Sequence, residues 1–101
     1  MRLTELCARA GLTFPHLREA EICGIESDSR KIEPGFIFVA VAGSKQDGHT
    51  FVHDAVARGA VAILTDAAGA LSVREQVVHL MTSHPRLAHA KLAAAFYAPL
   101  P

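Results

Sequence analysis

Two polar stretches separated by one apolar run carry the residues best equipped for chemistry. The first, Ser27-Asp28-Ser29-Arg30, packs two hydroxyls, a carboxylate and a guanidinium into four residues. This is ordinary turn chemistry, and it is also a set of donors and acceptors suited to a polar ligand. The second, Gly43-Ser44-Lys45-Gln46-Asp47-Gly48-His49, is bounded by glycines and precedes a helical pattern. Between them Phe36-Ile37-Phe38-Val39-Ala40-Val41-Ala42 is apolar throughout and reads as one buried strand. Both loops are therefore expected to emerge close together beside a sheet, and a ligand is expected there.

The stretch from Gly43 to Thr50 matches the phosphate-loop pattern at every fixed position but one: His49 stands where the lysine is required. That lysine supplies a permanent positive charge to the phosphates, which neither a mostly neutral imidazole nor the displaced Lys45 reproduces, and Asp47 would add a carboxylate among them. Nucleoside-triphosphate hydrolysis is not expected here, although the loop can still donate amide hydrogen bonds to a less charged ligand. His49 and His53 lie four apart with Asp47 and Asp54 nearby, but the zinc-protease pattern needs glutamate at position 50, which is threonine, and no third ligand is suitably spaced. Surface histidines are the expectation, and no metal site. The remaining histidines, His16, His79, His84 and His89, are scattered and form no triad with a serine and an acid. Asp28, Asp47, Asp54 and Asp66 can include a general base, but spacing does not say which of them meet. The residues alone describe a binding domain without catalytic machinery.

The chain has 101 residues, half of them hydrophobic, enough for one core and too few for two ordinary domains. Ten acidic and ten basic residues leave no net charge, hence no basic field for nucleic acid or an anionic membrane. The longest apolar runs fall far short of the roughly 20 residues of a membrane span, and the N-terminus lacks the apolar centre of a signal peptide. A cytoplasmic protein is expected. Cys7 and Cys23, without a Cys-x-x-Cys pair, are expected as buried thiols.

The positioning elements follow from periodicity. Leu3, Leu6, Cys7 and Ala10 recur at helical spacing and Gly11 is placed to stop that helix. Residues 12–20, interrupted by Pro15, read as a connection laid over the surface. Glu21–Glu26 predicts a short strand around Gly24, and Lys31–Gly35 a turn. Continuous rather than alternating hydrophobicity in Phe36–Ala42 predicts burial on both faces, as in an α/β sheet. A helix is predicted over Thr50–Arg58, ended by Gly59, then strands over Ala60–Thr65 and Val77–Met81 with weakly patterned sequence between them. Ser83 is placed to cap a closing helix through Tyr97, stopped by Pro99. The sum is a small three-layer α/β domain, a central and mostly parallel sheet flanked by helices. It is expected to span residues 1–98, with 99–101 opening a linker.

The ordered set Ser27-Asp28-Ser29-Arg30, Pro34-Gly35, Ile37-Phe38-Val39-Ala40, Gly43, Asp47-Gly48-His49, Phe51, Ala55, Gly59-Ala60 and Ala62 is similar to the N-terminal domain of the Mur ligases. These are the ATP-dependent amide ligases that build the peptide of bacterial peptidoglycan on a UDP-sugar. The closing Leu92-Ala93-Ala94-Ala95-Phe96-Tyr97-Ala98-Pro99 resembles the end of that domain in the MurE type, which adds the third residue to UDP-N-acetylmuramoyl-L-alanyl-D-glutamate. The MurF type shares the Asp-Ser-Arg and Asp-Gly-His signatures and is the nearest alternative. A stand-alone nucleotide-sugar-binding or interaction module that kept the fold without the activity is an alternative of another class.

The resemblance implies a MurE/MurF N-terminal fold that grips the UDP end of UDP-N-acetylmuramoyl-dipeptide. By position, Ser27 and Ser29 would contact the UDP-sugar, the Ser29 hydroxyl meeting a diphosphate oxygen, while Ser44, Lys45 and Gln46 would lie along the uridine. Asp28 and Arg30 would brace the first loop, and Asp47, Gly48 and His49 would support the second. ATP and Mg2+ would belong to a central domain and the choice of amino acid to a C-terminal domain, both beyond Pro101. This chain would hold no cofactor, and would bind without ligating. Phe36 stands where the family usually carries a polar residue, commonly aspartate, so the turn after Pro34-Gly35 is expected to be packed differently or covered by another domain.

Overall fold

The structure is a computed structural model and describes residues 1–14, 17–40, 52–66 and 77–97. At its centre β2 (Phe36–Ala40) pairs in parallel with β1 (Gly24–Glu26) on one side and β3 (Ala62–Thr65) on the other. β3 pairs in parallel with β4 (Val78–Met81), giving a four-stranded sheet in the order β1-β2-β3-β4.

The unbroken hydrophobicity of β2 and β3 has a direct cause: both faces of the sheet are covered. Ile37, Val39, Ala62, Leu64, Val78 and Leu80 face one layer, formed by α1 (Leu3–Ala10) and α3 (Pro85–Tyr97). Phe38, Ala40 and Ile63 face the other, where α2 (Val52–Ala57) contributes Val52 and Ala55 and the segment after β1 contributes Ile32. The predicted three-layer α/β class is what the structure holds, with every described strand pair parallel. α1 buries Leu3, Leu6 and Cys7 and stops at Gly11, whose φ of 72° is the left-handed value of a helix C-cap.

Gly59 joins three pieces of this scaffold. Its N–H donates to the Val56 carbonyl, closing α2, and its own carbonyl accepts from Gly35 N–H at 3.0 Å. With φ at 110°, and with the Pro34 Cα 2.6 Å from where a Cβ would stand, only glycine fits. The Pro34-Gly35 turn is thereby fastened to the end of α2.

Several expectations are corrected. The first strand starts at Gly24, not Glu21, because Glu21 instead forms an isolated antiparallel bridge with Arg2, and Ile22 N–H donates to the Met1 carbonyl. The connection 12–20 is not merely laid over the surface: Phe14 is buried in the α1/α3-side core, and Leu12 and Leu17 pack against it. α3 begins at Pro85, so His84 and not Ser83 precedes its first residue; the hydroxyl of Thr82 accepts from His84 N–H. Proline in that place sacrifices no helical hydrogen bond. Cys7 is buried as expected, but Cys23 is exposed, lying just before the edge strand β1 beside the Gly35 turn. Phe36 is half-buried with its ring over Gly24, where an added Cβ would fall 2.5 Å from ring carbon Cζ. An aromatic ring thus covers a strand glycine. The weakly patterned stretch 67–76 and the end of the β2 run at Val41-Ala42 lie outside the described residues.

Candidate functional site

Four parallel strands point their carboxyl ends to one edge, and ligands of open α/β sheets bind outside that edge. Register places Ala40 opposite Thr65 and Thr65 opposite Met81 along it, with Glu26 of β1 two residues lower on β2, opposite Phe38. The segment after β1 runs directly into Ser27-Asp28-Ser29-Arg30. β2 also ends at this edge, at Ala40; Ser44, Lys45, Gln46, Asp47, Gly48 and His49, of the second predicted loop, lie outside the described residues.

The first loop is internally tied. Asp28 stands before a single 3-10 turn, Ser29–Lys31, and its Oδ1 accepts from Arg30 N–H at 3.0 Å. The Arg30 guanidinium closes on the same carboxylate, Nε to Oδ1 at 3.1 Å and its terminal nitrogen to Oδ2 at 3.0 Å. These bonds, the side-chain ones first, hold the Asp28 carboxyl down at about 2 and raise Arg30 above its ordinary value. Asp28 is therefore ionised and already neutralised by its neighbour, so it does not set a bare negative charge beside an anionic ligand. Ser27 is exposed, whereas Ser29 is only 6 % exposed, in the floor of the turn.

Three contributors escaped the sequence reading. Glu26 Oε1 accepts from both Ser27 N–H and Asp28 N–H, at 3.0 and 3.2 Å, and so shapes the entry to the loop. Its place immediately before Ser27 was the only available signal. Arg58 pairs with Asp54 on α2 at 3.1 Å, an i,i+4 spacing visible in the sequence, but it also donates to the Arg30 carbonyl at 3.4 Å, which no spacing reveals. Tyr97, 72 residues from its partner, uses its hydroxyl to accept from Ile25 N–H at 3.3 Å on the outer edge of β1. It stands edge-on to Phe96 with centroids 4.8 Å apart.

Of the carboxylates considered as bases, Asp28 and Asp54 are each engaged by an arginine, and Asp28, its carboxyl held low by Arg30, is not poised to take a proton. His53 is exposed on α2, and among the described residues no three acidic, imidazole or thiol groups gather as a metal site. In the sequence, the phosphate-loop-like stretch Gly43–Thr50 has His49 in place of the lysine that ATP phosphates require. What the arrangement offers is an internally hydrogen-bonded polar loop at the carboxyl edge of a parallel sheet, its Asp28 carboxylate paired with Arg30.

The family described as "Mur ligase family, catalytic domain" matches residues 21–97, which is most of the chain. The chain belongs to the Mur ligase family. Among its relatives, the UDP-N-acetylmuramoyl-L-alanyl-D-glutamate–2,6-diaminopimelate ligase of Zymomonas mobilis is 41% identical over 100 residues, covering 99% of this chain and 20% of the relative. The ligase of the same name from Agrobacterium fabrum is 44% identical, covering 91% of the chain and 20% of the relative. A crystal structure of MurF from Acinetobacter baumannii superposes with a TM-score of 0.67 at 26% identity, over 91% of this chain and 20% of that one. This Mur ligase domain thus spans about a fifth of the length of the relatives it matches. The polar loop and the Gly59–Pro34 contact both lie inside the matched region.

Proposed function

We propose that this chain is the substrate-anchoring N-terminal domain of a cytoplasmic MurE-type ligase. It would hold the UDP end of UDP-N-acetylmuramoyl-L-alanyl-D-glutamate while other domains of the parent protein join an amino acid to the peptide. The observation that carries this reading is the loop Ser27–Arg30, its Asp28 carboxylate paired with Arg30, leaving the carboxyl edge of the sheet in a chain about 40% identical to ligases named for that substrate. Their name also supports 2,6-diaminopimelate as the amino acid added. The MurF likeness is the second reading, supported by the structural match, but its identity of 26% is well below that of the diaminopimelate ligases.

In this proposal exposed Ser27 meets the sugar-nucleotide directly, and Ser29, in the floor of the turn, offers its hydroxyl to a diphosphate oxygen. Ser44, Lys45 and Gln46 follow the uridine, whose imide edge suits an amide side chain. Asp28, Arg30, Asp47, Gly48 and His49 keep the two loops in shape. ATP and Mg2+ are assigned to the parent's central domain, and the domain boundary to residues 98–99. No step of the ligation runs through the residues of this chain.

The test is an amide-shift NMR titration of the chain with UDP-N-acetylmuramoyl-dipeptide, with UDP-glucose and ATP as controls. Saturable shifts at Ser27, Ser29 and Ser44–Gln46 with the muramoyl ligand are expected, with none there from ATP. Equal shifts from ATP, or none from the muramoyl ligand up to millimolar concentration, would overturn the reading.

A further inference from the structure

The described ligand groups of the proposed site, Ser27 and Ser29, lie on the segment 27–31, and ligand affinity depends on how that turn is held. α2 (Val52–Ala57) lies on the face of the sheet against which the connection that carries this segment is packed through Ile32. One side chain reaches from that helix to the first loop. Arg58 anchors its Nε on Asp54 Oδ2 at 3.1 Å, within its own helical surface, and points a terminal N–H at the Arg30 carbonyl at 3.4 Å. The carbonyl belongs to the middle residue of the 3-10 turn whose first residue is Ser29 and whose amide Asp28 caps.

We infer that Arg58 is a positioning residue for the UDP-sugar: it couples α2 to the Ser29 turn. The inference rests on the proposed substrate. An exposed ion pair such as Asp54–Arg58 adds little to stability, so its stability value does not explain the geometry. The planar fork of arginine does, because one guanidinium serves a carboxylate and a carbonyl at fixed angles, which the point charge of lysine does not. A second tie lies beside it: Gly59, the next residue, binds Gly35 N–H through its carbonyl, fastening the other end of the same connection. The β1–β2 connection is thus held to the end of α2 at two places. Of these, only the Arg58 contact reaches the turn that carries Ser29.

The experiment measures the dissociation constant for UDP-N-acetylmuramoyl-dipeptide, by calorimetry or NMR, in the wild-type chain, Arg58→Met, Arg58→Lys, Ser29→Ala and the Arg58→Met/Ser29→Ala double variant. Thermal unfolding is followed in each. Loss of the coupling is expected to weaken binding about threefold to tenfold in Arg58→Met. Arg58→Lys keeps the charge beside Asp54 and loses the fork, so it is expected to be as weak as Arg58→Met. In the double variant the two losses are expected to be less than additive, because Arg58 acts through the turn that holds Ser29. Full affinity in Arg58→Lys would mean that charge alone matters and would overturn the inference. So would additive losses, or unchanged affinity in Arg58→Met. If the wild-type chain itself shows no binding, the proposed substrate fails and the positioning role falls with it, an outcome distinct from wild-type binding that Arg58 variants leave intact.

Discussion

Asp28 and Arg30 respond to pH as one unit. Because the guanidinium and the Arg30 amide both favour the carboxylate, Asp28 sits at about 2 in the folded chain against an ordinary 3.8. A depressed carboxyl stabilises the fold above its unfolded value, and the contribution is lost as pH falls from about 3.8 through about 2. Following the Asp28 carboxyl carbon by NMR should give a midpoint near 2, and Arg30→Gln should move it back towards 3.8; an unshifted midpoint in the wild type would refute the bracing. The pair was legible in the sequence, since an aspartate two residues before an arginine in a short turn is a local matter. Glu26 was not, because its role depends on where β1 ends and the backbone turns. The two thiols show the same divide. Burial, with the Glu19 charge adding to it, pushes Cys7 up to about 11, while Cys23 is exposed, a contrast that composition does not encode.

The elements meet at points where one residue answers to several neighbours, and Gly59 is the clearest of these. Gly59→Ala must place a Cβ against the Pro34 backbone and hold a φ that an L side chain rarely adopts. The expected loss is about 1–3 kcal/mol, read as a lower midpoint in urea unfolding with little change in slope. Pro34→Ala is not expected to rescue it, as the nearest atom is the Pro34 Cα, which alanine keeps. Equal stability of Gly59→Ala and wild type would show that the turn and the end of α2 are not locked together. Glycine as the end of the helix could be read in advance from its place after a periodic segment. Its packing on Pro34, 25 residues earlier in the chain, could not. Tyr97 belongs to this scale too: the last described helical residue reaches back to Ile25 and covers part of β1, the edge strand of the described sheet.

For the whole molecule, two cores share one sheet, and the larger depends on the closing helix. Leu92 is fully buried in the α1/α3-side core with Ala88 one turn before it. Leu92→Ala is expected to cost about 2–5 kcal/mol, a large share of the roughly 5–15 kcal/mol of a typical domain. Calorimetry should show the midpoint fall by about 10 °C or more; a fall of a degree or two would mean that α3 is not essential to the core. The sequence by itself determined the class of the fold, because hydrophobic period and glycine stops are local properties: unbroken runs at Phe36–Ala40 and Ala62–Thr65 require a sheet covered on both faces. It also located the polar loop at Ser27–Arg30 and, through the order of small motifs, the family. Tertiary structure alone decided that all the described strands run parallel, that Phe14 enters the core, that Cys23 does not, and that Arg58 and Tyr97 reach the loop and strand they touch. Each of those joins residues far apart in the chain, and their meeting depends on how helices pack on the sheet, a global property that no spacing within one segment records.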